Sequence, residues 1–255
     1  MLKERLAYRH KTSALKYVLR HPLLIFSVLC RKPSKTYFAR TLEDVLGPNI
    51  IPCLLNALPE RFLDWSRQHG LGDPHGERML LYLIVRRYKP DIVIETGVAR
   101  GAFSAFTLCA MRENGKGHLY SIDLPPYDVP VSAEPADEGV MYTLRDGQRH
   151  LIPQGYRVGH FVPEYLRDRW TLLAGDATRI LPDLCRQIGP LSMFLHDSLH
   201  TCEHMTFEYE TAWPHIAEGG LLLSHDVLWN EAFLRFSRKV ARKCTVYRNL
   251  GVIRK

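Results

Sequence analysis

The sequence predicts an α/β fold on a mostly parallel sheet, and three observations carry that reading. From about residue 76 onward, apolar segments with helical spacing alternate with short strand-like runs. Five of those runs end in an acid, at Glu95, Asp123, Asp176, Asp197 and Asp226. Length and composition agree, because 255 residues of which 46% are apolar can bury one sizeable core.

Taken in order, GERMLLYLIVRRY has a helical apolar pattern, DIVIE a strand pattern, FSAFTLCAMREN a helical one and HLYSID a strand. After Asp123 comes LPPYDVPVSAEPADEG and a partly polar segment to about Arg169, so residues 124–169 read as an insertion or lid. The alternation resumes with WTLLAGD, a helix through Leu184, the strand LSMFLHD and a helix from about Thr201 to Ile216. Gly219-Gly220 marks a turn feeding the strand LLLSHD. A helix from about Asn230 to Ala241 and a β-hairpin in CTVYRNLGVIRK complete the chain. Residues 1–75 read as a basic, helical N-terminal arm or lid, and residues 76–255 as the main domain.

The net charge of +7 is unevenly spread: residues 1–40 hold ten Lys or Arg against Glu4 alone, whereas the other 215 residues hold 24 basic and 26 acidic side chains. Basicity confined to an arm argues against a nucleic-acid-binding core. The arm, with Leu15, Val18, Leu19 and the run Leu23–Leu29, reads either as a peripheral membrane contact or as a lid or contact between copies in a homo-oligomer. Its longest apolar run, PLLIFSVLC, is far short of the roughly 20 residues of a spanning helix. Six scattered cysteines without a C-x-x-C pair read as reduced thiols, so a cytoplasmic protein is expected.

Open parallel sheets bind ligands beyond the carboxyl ends of their strands, the rim on which the five acids fall. An acid there can also be no more than a helix cap. In IETGVARG, residues 94–101, Gly97 permits a turn, while Gly101 suits the close approach of a ligand or the start of a helix. The spacing is not G-x-G-x-x-G, and a diphosphate loop would not place Glu95 two residues before its first glycine. A carboxylate there suits a ligand with an ammonium or sulfonium group. Asp123 can accept both hydroxyls of a ribose, and Asp176 can accept from an adenine amino group. Ribose, adenine and a cationic tail together describe S-adenosylmethionine.

On these residues the chain, over roughly 76–255, resembles the class I S-adenosylmethionine-dependent methyltransferases, and among them the small-molecule and sugar O-methyltransferases. The pattern is Glu95-Thr96-Gly97, Gly101, Asp123, Gly175-Asp176-Ala177, Asp197 with His200, and Gly219-Gly220 with Asp226. The resemblance implies a Rossmann-like, doubly wound, mostly parallel sheet of seven strands with the last antiparallel. It also implies that Glu95, Thr96, Gly97, Gly101 and Ser104 hold the methionine part of the donor, Asp123 the ribose, and Gly175, Asp176 and Ala177 the adenine. Ala99 departs from it, since many members carry a glycine there.

The stretch LHDSLHTCEH, residues 195–204, supplies the chemistry. Methylating a hydroxyl requires removal of its proton, and His200, with an ordinary pKa of about 6.5, is a serviceable base beside Asp197. A divalent ion such as Mg²⁺ or Mn²⁺ is the competing device, held by Asp197, His225 and Asp226. Histidine is a poor partner for Mg²⁺, so either a softer ion binds or His225 is no ligand. His196 and His204 read as structural, and H-T-C-E-H lacks the order of a zinc-hydrolase helix. The expected function is methyl transfer from S-adenosylmethionine to a hydroxyl of a small-molecule acceptor, a sugar or a secondary metabolite, with or without a metal, and with no nucleic-acid partner. The alternatives are an oxidoreductase or hydroxylase component on the same sheet, disfavoured by the missing G-x-G-x-x-G, a nucleoside-binding protein without turnover, and an N- or C-methyltransferase, since a donor pocket does not choose the acceptor.

Overall fold

The computed structural model describes residues 43–45, 58–73, 76–124 and 157–255, together with the backbone of 132–136, 139–143 and 149–153. Of the expected arm, residues 1–75, the stretches 1–42, 46–57 and 74–75 therefore lie outside the described residues, as does much of the insertion.

The elements run α1 (Glu60–Gln68), α2 (Glu77–Tyr88), β1 (Ile92–Thr96), α3 (Ala102–Asn114), β2 (His118–Asp123), β3 (Ser132–Ala136), β4 (Gly139–Thr143), β5 (Arg149–Pro153), β6 (Trp170–Ala174), α4 (Ala177–Gln187), β7 (Leu191–His196), α5 (Cys202–Ala212), β8 (Ile216–Ser224), α6 (Ala232–Lys239), β9 (Cys244–Tyr247) and β10 (Leu250–Arg254). Seven strands form one sheet in the order β6-β2-β1-β7-β8-β10-β9. The pairs among β6, β2, β1, β7 and β8 are parallel, and β10 is antiparallel to both neighbours. This is the doubly wound, Rossmann-like α/β sheet expected from the sequence. Within the insertion, β3, β4 and β5 make a separate antiparallel sheet.

Strand periodicity explains the two layers. Side chains alternate across a pleated strand, so neighbours in sequence reach opposite faces. Val93, Met193, Leu195, Leu221, Leu223 and Val252 pack with α2 and α3. Ile94, Phe194, Leu222 and Ile253 pack with α4, α5 and α6. Strands buried on both faces explain why the sequence reads as continuous apolar runs such as LSMFL and LLL.

Two boundaries differ from the sequence expectation. The helix expected to reach Ile216 ends at Ala212, and Trp213–His215 tighten into a 3₁₀ turn. Pro214 is the cause, since it has no N–H to donate to the helical ladder, although Trp213 before it still has helical backbone. Residues 60–68, inside the segment read as an arm, form α1, whose Phe62 is buried against α3 with its ring 5.0 Å from that of Phe106.

Among the described residues no helix is long and apolar enough to cross a membrane. The four described cysteines, Cys109, Cys185, Cys202 and Cys244, are free thiols.

Candidate functional site

The strand ends bring the rim acids to one edge of the sheet, and side-chain parity decides what each one meets. Glu95 shares the face of Val93 and so turns towards α3. Its Oε2 accepts from Ser104 Oγ and from Ser121 Oγ, each at 2.6 Å, and Ser121 is its register partner on β2. Trp170 Nε1 donates to Ser121 Oγ at 2.9 Å and completes the chain. Glu95 is fully buried, and burial, with Asp197 and Asp123 nearby, pushes its carboxyl up to about 8 against the opposing serine bonds. Its Oε1 is buried without a hydrogen-bond partner, which leaves one oxygen for a ligand. Ser104, expected to touch the donor, instead orients Glu95.

The loop after β1 is held by Asp123, whose Oδ2 accepts from the backbone N–H of Val98 at 2.6 Å and of Ala99 at 2.7 Å. The carboxylate expected to bind ribose thus also caps this turn. Ala99 sits at φ 46°, a left-handed conformation that explains why glycine suits the position. Gly97 has φ 81°, and a Cβ there would lie 2.1 Å from the carbonyl oxygen of Asp197. Gly101 makes room not for a ligand but for the chain at Gly159 and Val162, whose atoms lie 2.9 and 2.8 Å from its would-be Cβ. Asp176 is the N-cap of α4, its Oδ1 accepting from Thr178 N at 2.8 Å and from Thr178 Oγ1 at 2.7 Å. Gly175 donates its N–H to the Asp123 carbonyl at 2.8 Å, so the ends of β2 and β6 stay together, and Ala177 is buried behind them.

Thr96 and His196 take the opposite face, towards α5, and both reach the fully buried Glu208. Its Oε2 accepts from Thr96 Oγ1 at 2.5 Å and lies 2.6 Å from His196 Nδ1. Its Oε1 accepts from Ser198 Oγ at 2.8 Å and lies 2.8 Å from His204 Nε2. Burial alone would raise this carboxyl, but His196 and His204 hold it far below the usual carboxylate range, and Glu208 raises His204 in turn. The side chain of Thr96, expected at the donor, is thus bonded to Glu208 beneath the rim. Nothing in the sequence reading singled out Glu208; its place four residues after His204, one helical turn on, was the available signal.

Asp197, His200, His225 and Asp226 converge at the ends of β7 and β8. His200 Nε2 is buried and has no hydrogen-bond partner, lying 3.6 Å from Asp197 Oδ1 and 3.8 Å from Asp226 Oδ2. Its ring meets that of His196 at 5.3 Å and that of Trp229 at 5.3 Å. His225 is bonded through both nitrogens, Nδ1 to Asp197 Oδ1 at 2.9 Å and Nε2 to Glu77 Oε2 at 3.2 Å. Those carboxylates outweigh burial and push the imidazole up to about 10, so it carries a proton on each nitrogen. Burial would raise Asp197, but His200 and His225 beside it hold its carboxyl below the ordinary value, while burial raises Asp226. Asp226 has φ 52°, a strained backbone for a residue with a side chain.

Glu77 is a second residue that the sequence reading missed. It lies at the start of α2, and its Oε1 accepts from the backbone N–H of Asn249 at 2.6 Å while Oε2 holds His225. Its separation of 148 residues from His225 left no local pattern to find.

A family model described as a methyltransferase domain matches residues 94–227, more than half of the chain. No curated protein matches it. Among solved structures it is similar to the methyltransferase PaMTH1 of Podospora anserina, bound to S-adenosylhomocysteine, at 13% identity and TM-score 0.48, covering 87% of this chain and 97% of that one. It is also similar to the O-methyltransferase TomG of Streptomyces achromogenes, involved in tomaymycin synthesis and in complex with S-adenosylmethionine, at 14% identity and TM-score 0.49, covering 91% and 94%. A third is the O-methyltransferase of Bacillus cereus in complex with S-adenosylhomocysteine, at 14% identity and TM-score 0.49, covering 85% and 96%.

Proposed function

The chain belongs to the methyltransferase-domain family, enzymes of the class I S-adenosylmethionine-dependent type, and from that premise we propose that it moves the donor's methyl to a hydroxyl of a small-molecule acceptor, with His200 as the base. The observation that carries this is His200 Nε2. It is a buried ring nitrogen with no hydrogen-bond partner, set between two carboxylates beside the donor rim. A hydroxyl placed there gives up its proton to Nε2 as the methyl arrives, and Asp197 and Asp226 stabilise the imidazolium that results. The electron pair of the hydroxyl oxygen forms the new C–O bond while the C–S bond breaks to leave S-adenosylhomocysteine.

On the donor side, Glu95 Oε1 is the atom left to accept from the methionine ammonium, and the Asp123 carboxylate faces the ribose. Gly97 and Gly101 give the loop its path, and Asp176 with Ala177 borders the adenine.

Asp197, His200 and His225 each offer a donor atom, all within 4.8 Å of one another, so a divalent ion is a second arrangement with its own support. The separations of His200 Nε2 from both aspartates are too long for hydrogen bonds and suit two ligands of one ion. The residues fit: Asp197, His200 and Asp226 would hold it, His225 joining once its Nδ1 proton leaves, and two imidazoles favour a transition ion over Mg²⁺. When bound, such an ion lowers the pKa of a hydroxyl on it.

Calorimetric titration of chelator-treated protein with S-adenosylhomocysteine, with and without Mn²⁺, tests the reading. The expected result is binding that His200→Ala and Asp197→Asn leave intact while turnover falls by about 10²–10⁴-fold. Absence of binding under both conditions would overturn the donor pocket. Mn²⁺ binding that is lost in His200→Ala would make His200 a ligand and not the base.

A further inference from the structure

We propose that Arg167 and Trp170 are positioning residues for the donor, bracing from behind the rim both the loop after β1 and the carboxyl of Glu95. This rests on the donor reading above and names two residues that set the shape of that site.

The loop over residues 97–101 is tied on two sides. From the end of β2, Asp123 Oδ2 takes the N–H groups of Val98 and Ala99. From the other side, Gly159 N donates to the Ala99 carbonyl and Phe161 N to the Arg100 carbonyl, each at 2.8 Å. Ala99 stands at φ 46°, a left-handed conformation that a residue with a side chain keeps only where its surroundings impose it. Residues 159–161 supply one of the two sets of bonds that impose it.

Arg167, in the 3₁₀ turn Glu164–Arg169, holds that segment. Its Nε donates to the Val162 carbonyl at 3.1 Å and its Nη2 to the Gly159 carbonyl at 3.0 Å, so the planar fork spans the turn that meets the loop. Glu164, a surface carboxylate, stands 3.4 Å from the same Nε. The guanidinium also lies over the indole of Trp170, 5.2 Å from the ring centroid.

Trp170 opens β6 opposite Leu119, four residues short of the rim at Ala174 and so about 13 Å back along the strand. Its ring fills the space that a side chain at Gly159 would need. Its Nε1 donates to Ser121 Oγ at 2.9 Å. A hydroxyl has a single hydrogen, and with the indole on its oxygen Ser121 aims that hydrogen at Glu95 Oε2, 2.6 Å away. Ser104 donates to the same oxygen, which leaves Oε1 for the methionine ammonium. One indole thus backs the loop with its ring edge and the acid with its nitrogen. A loop and an acid fixed before the donor arrives spare the entropy of ordering them on binding.

Calorimetry of the full chain with two probes tests this: S-adenosylhomocysteine, and methylthioadenosine, which keeps the nucleoside and the thioether but lacks the amino acid. Arg167→Ala and Trp170→Phe are each expected to weaken S-adenosylhomocysteine about tenfold and methylthioadenosine less than about twofold. Equal weakening of both probes is the mark of a general loss of structure and overturns the proposal, as does no weakening of S-adenosylhomocysteine. Arg112→Ala is the control, because Arg112 Nη1 donates to the Tyr165 carbonyl at 2.7 Å and so ties down the same segment away from Gly159. It is expected to leave both affinities in place, and a loss there equal to that of Arg167→Ala also overturns the proposal. Hydrogen exchange of the donor-free protein reads the loop directly. The peptide holding residues 97–101 is expected to exchange faster in Arg167→Ala while those of β7 and α4 keep their native rates, and an unchanged loop rate overturns the brace. A native chain that binds no S-adenosylhomocysteine removes the donor reading itself, whereas native binding with unchanged variants removes this proposal alone.

Discussion

Glu208 accepts from or pairs with four side chains at once, and that sets how the residue responds to change. Glu208→Gln keeps the shape but removes the buried charge that His196 Nδ1 and His204 Nε2 contact. A loss of about 3–5 kcal/mol is expected, read from urea denaturation. Gly97→Ala meets two obstacles, a left-handed φ and the Asp197 carbonyl. Its expected cost of roughly 1–3 kcal/mol is accompanied by loss of S-adenosylhomocysteine binding, read by calorimetry. At this scale the sequence announced what lies at strand ends, because an acid closing an apolar run is a local signal. Glu77 and Glu208 sit on helices, where a charged residue is ordinary, and they acquire partners only once the sheet sets α2 and α5 beside β7 and β8. Asp176 carried both readings from the outset, and its bonds to Thr178 are those of a cap.

Among the elements, strands were more legible than helix ends. The runs LSMFL and LLLS could hardly be anything else between two helical layers, whereas the stop of α5 depends on Pro214, a residue that a periodic pattern absorbs unnoticed. The helix α1 belongs to the core by its contacts, Phe62 stacking on Trp65 at 4.8 Å and meeting Phe106 edge-on. Phe62→Ala is expected to cost about 3–5 kcal/mol in thermal or chemical unfolding, as for other large buried aromatics. If α1 were only a loosely attached arm, the same substitution would leave the unfolding midpoint unmoved. The pair β9 and β10 was legible as a hairpin, but not that its tip reaches Glu77 through Asn249.

For the whole molecule, the Glu208 and His204 pair gives a pH signature. The carboxyl is depressed below its ordinary 4.5, so its contribution is complete above that pH and is lost as pH falls through the folded value. The imidazole is raised above its ordinary 6.5, so its contribution is complete below that pH and is lost as pH rises through the folded value. Stability from this pair is therefore greatest between about 4.5 and 6.5 and declines on both sides. Urea midpoints across pH 4–9 are expected to show the curvature in the native chain and a flatter profile in Glu208→Gln.

The contact between Gly97 and Asp197 reaches further than the glycine itself. The loop that would cradle the donor and the loop that carries Asp197 touch backbone to backbone, with Asp197 N donating to the Thr96 carbonyl at 2.8 Å. Neither can shift without the other, so fixing one by a ligand also selects the position of its neighbour. The two substrates then share a thermodynamic linkage: whatever factor the first adds to the affinity of the second, the second returns to the first. The affinity of an acceptor measured with and without S-adenosylhomocysteine gives that factor, and a value well above one is the expected sign that the two loops move together.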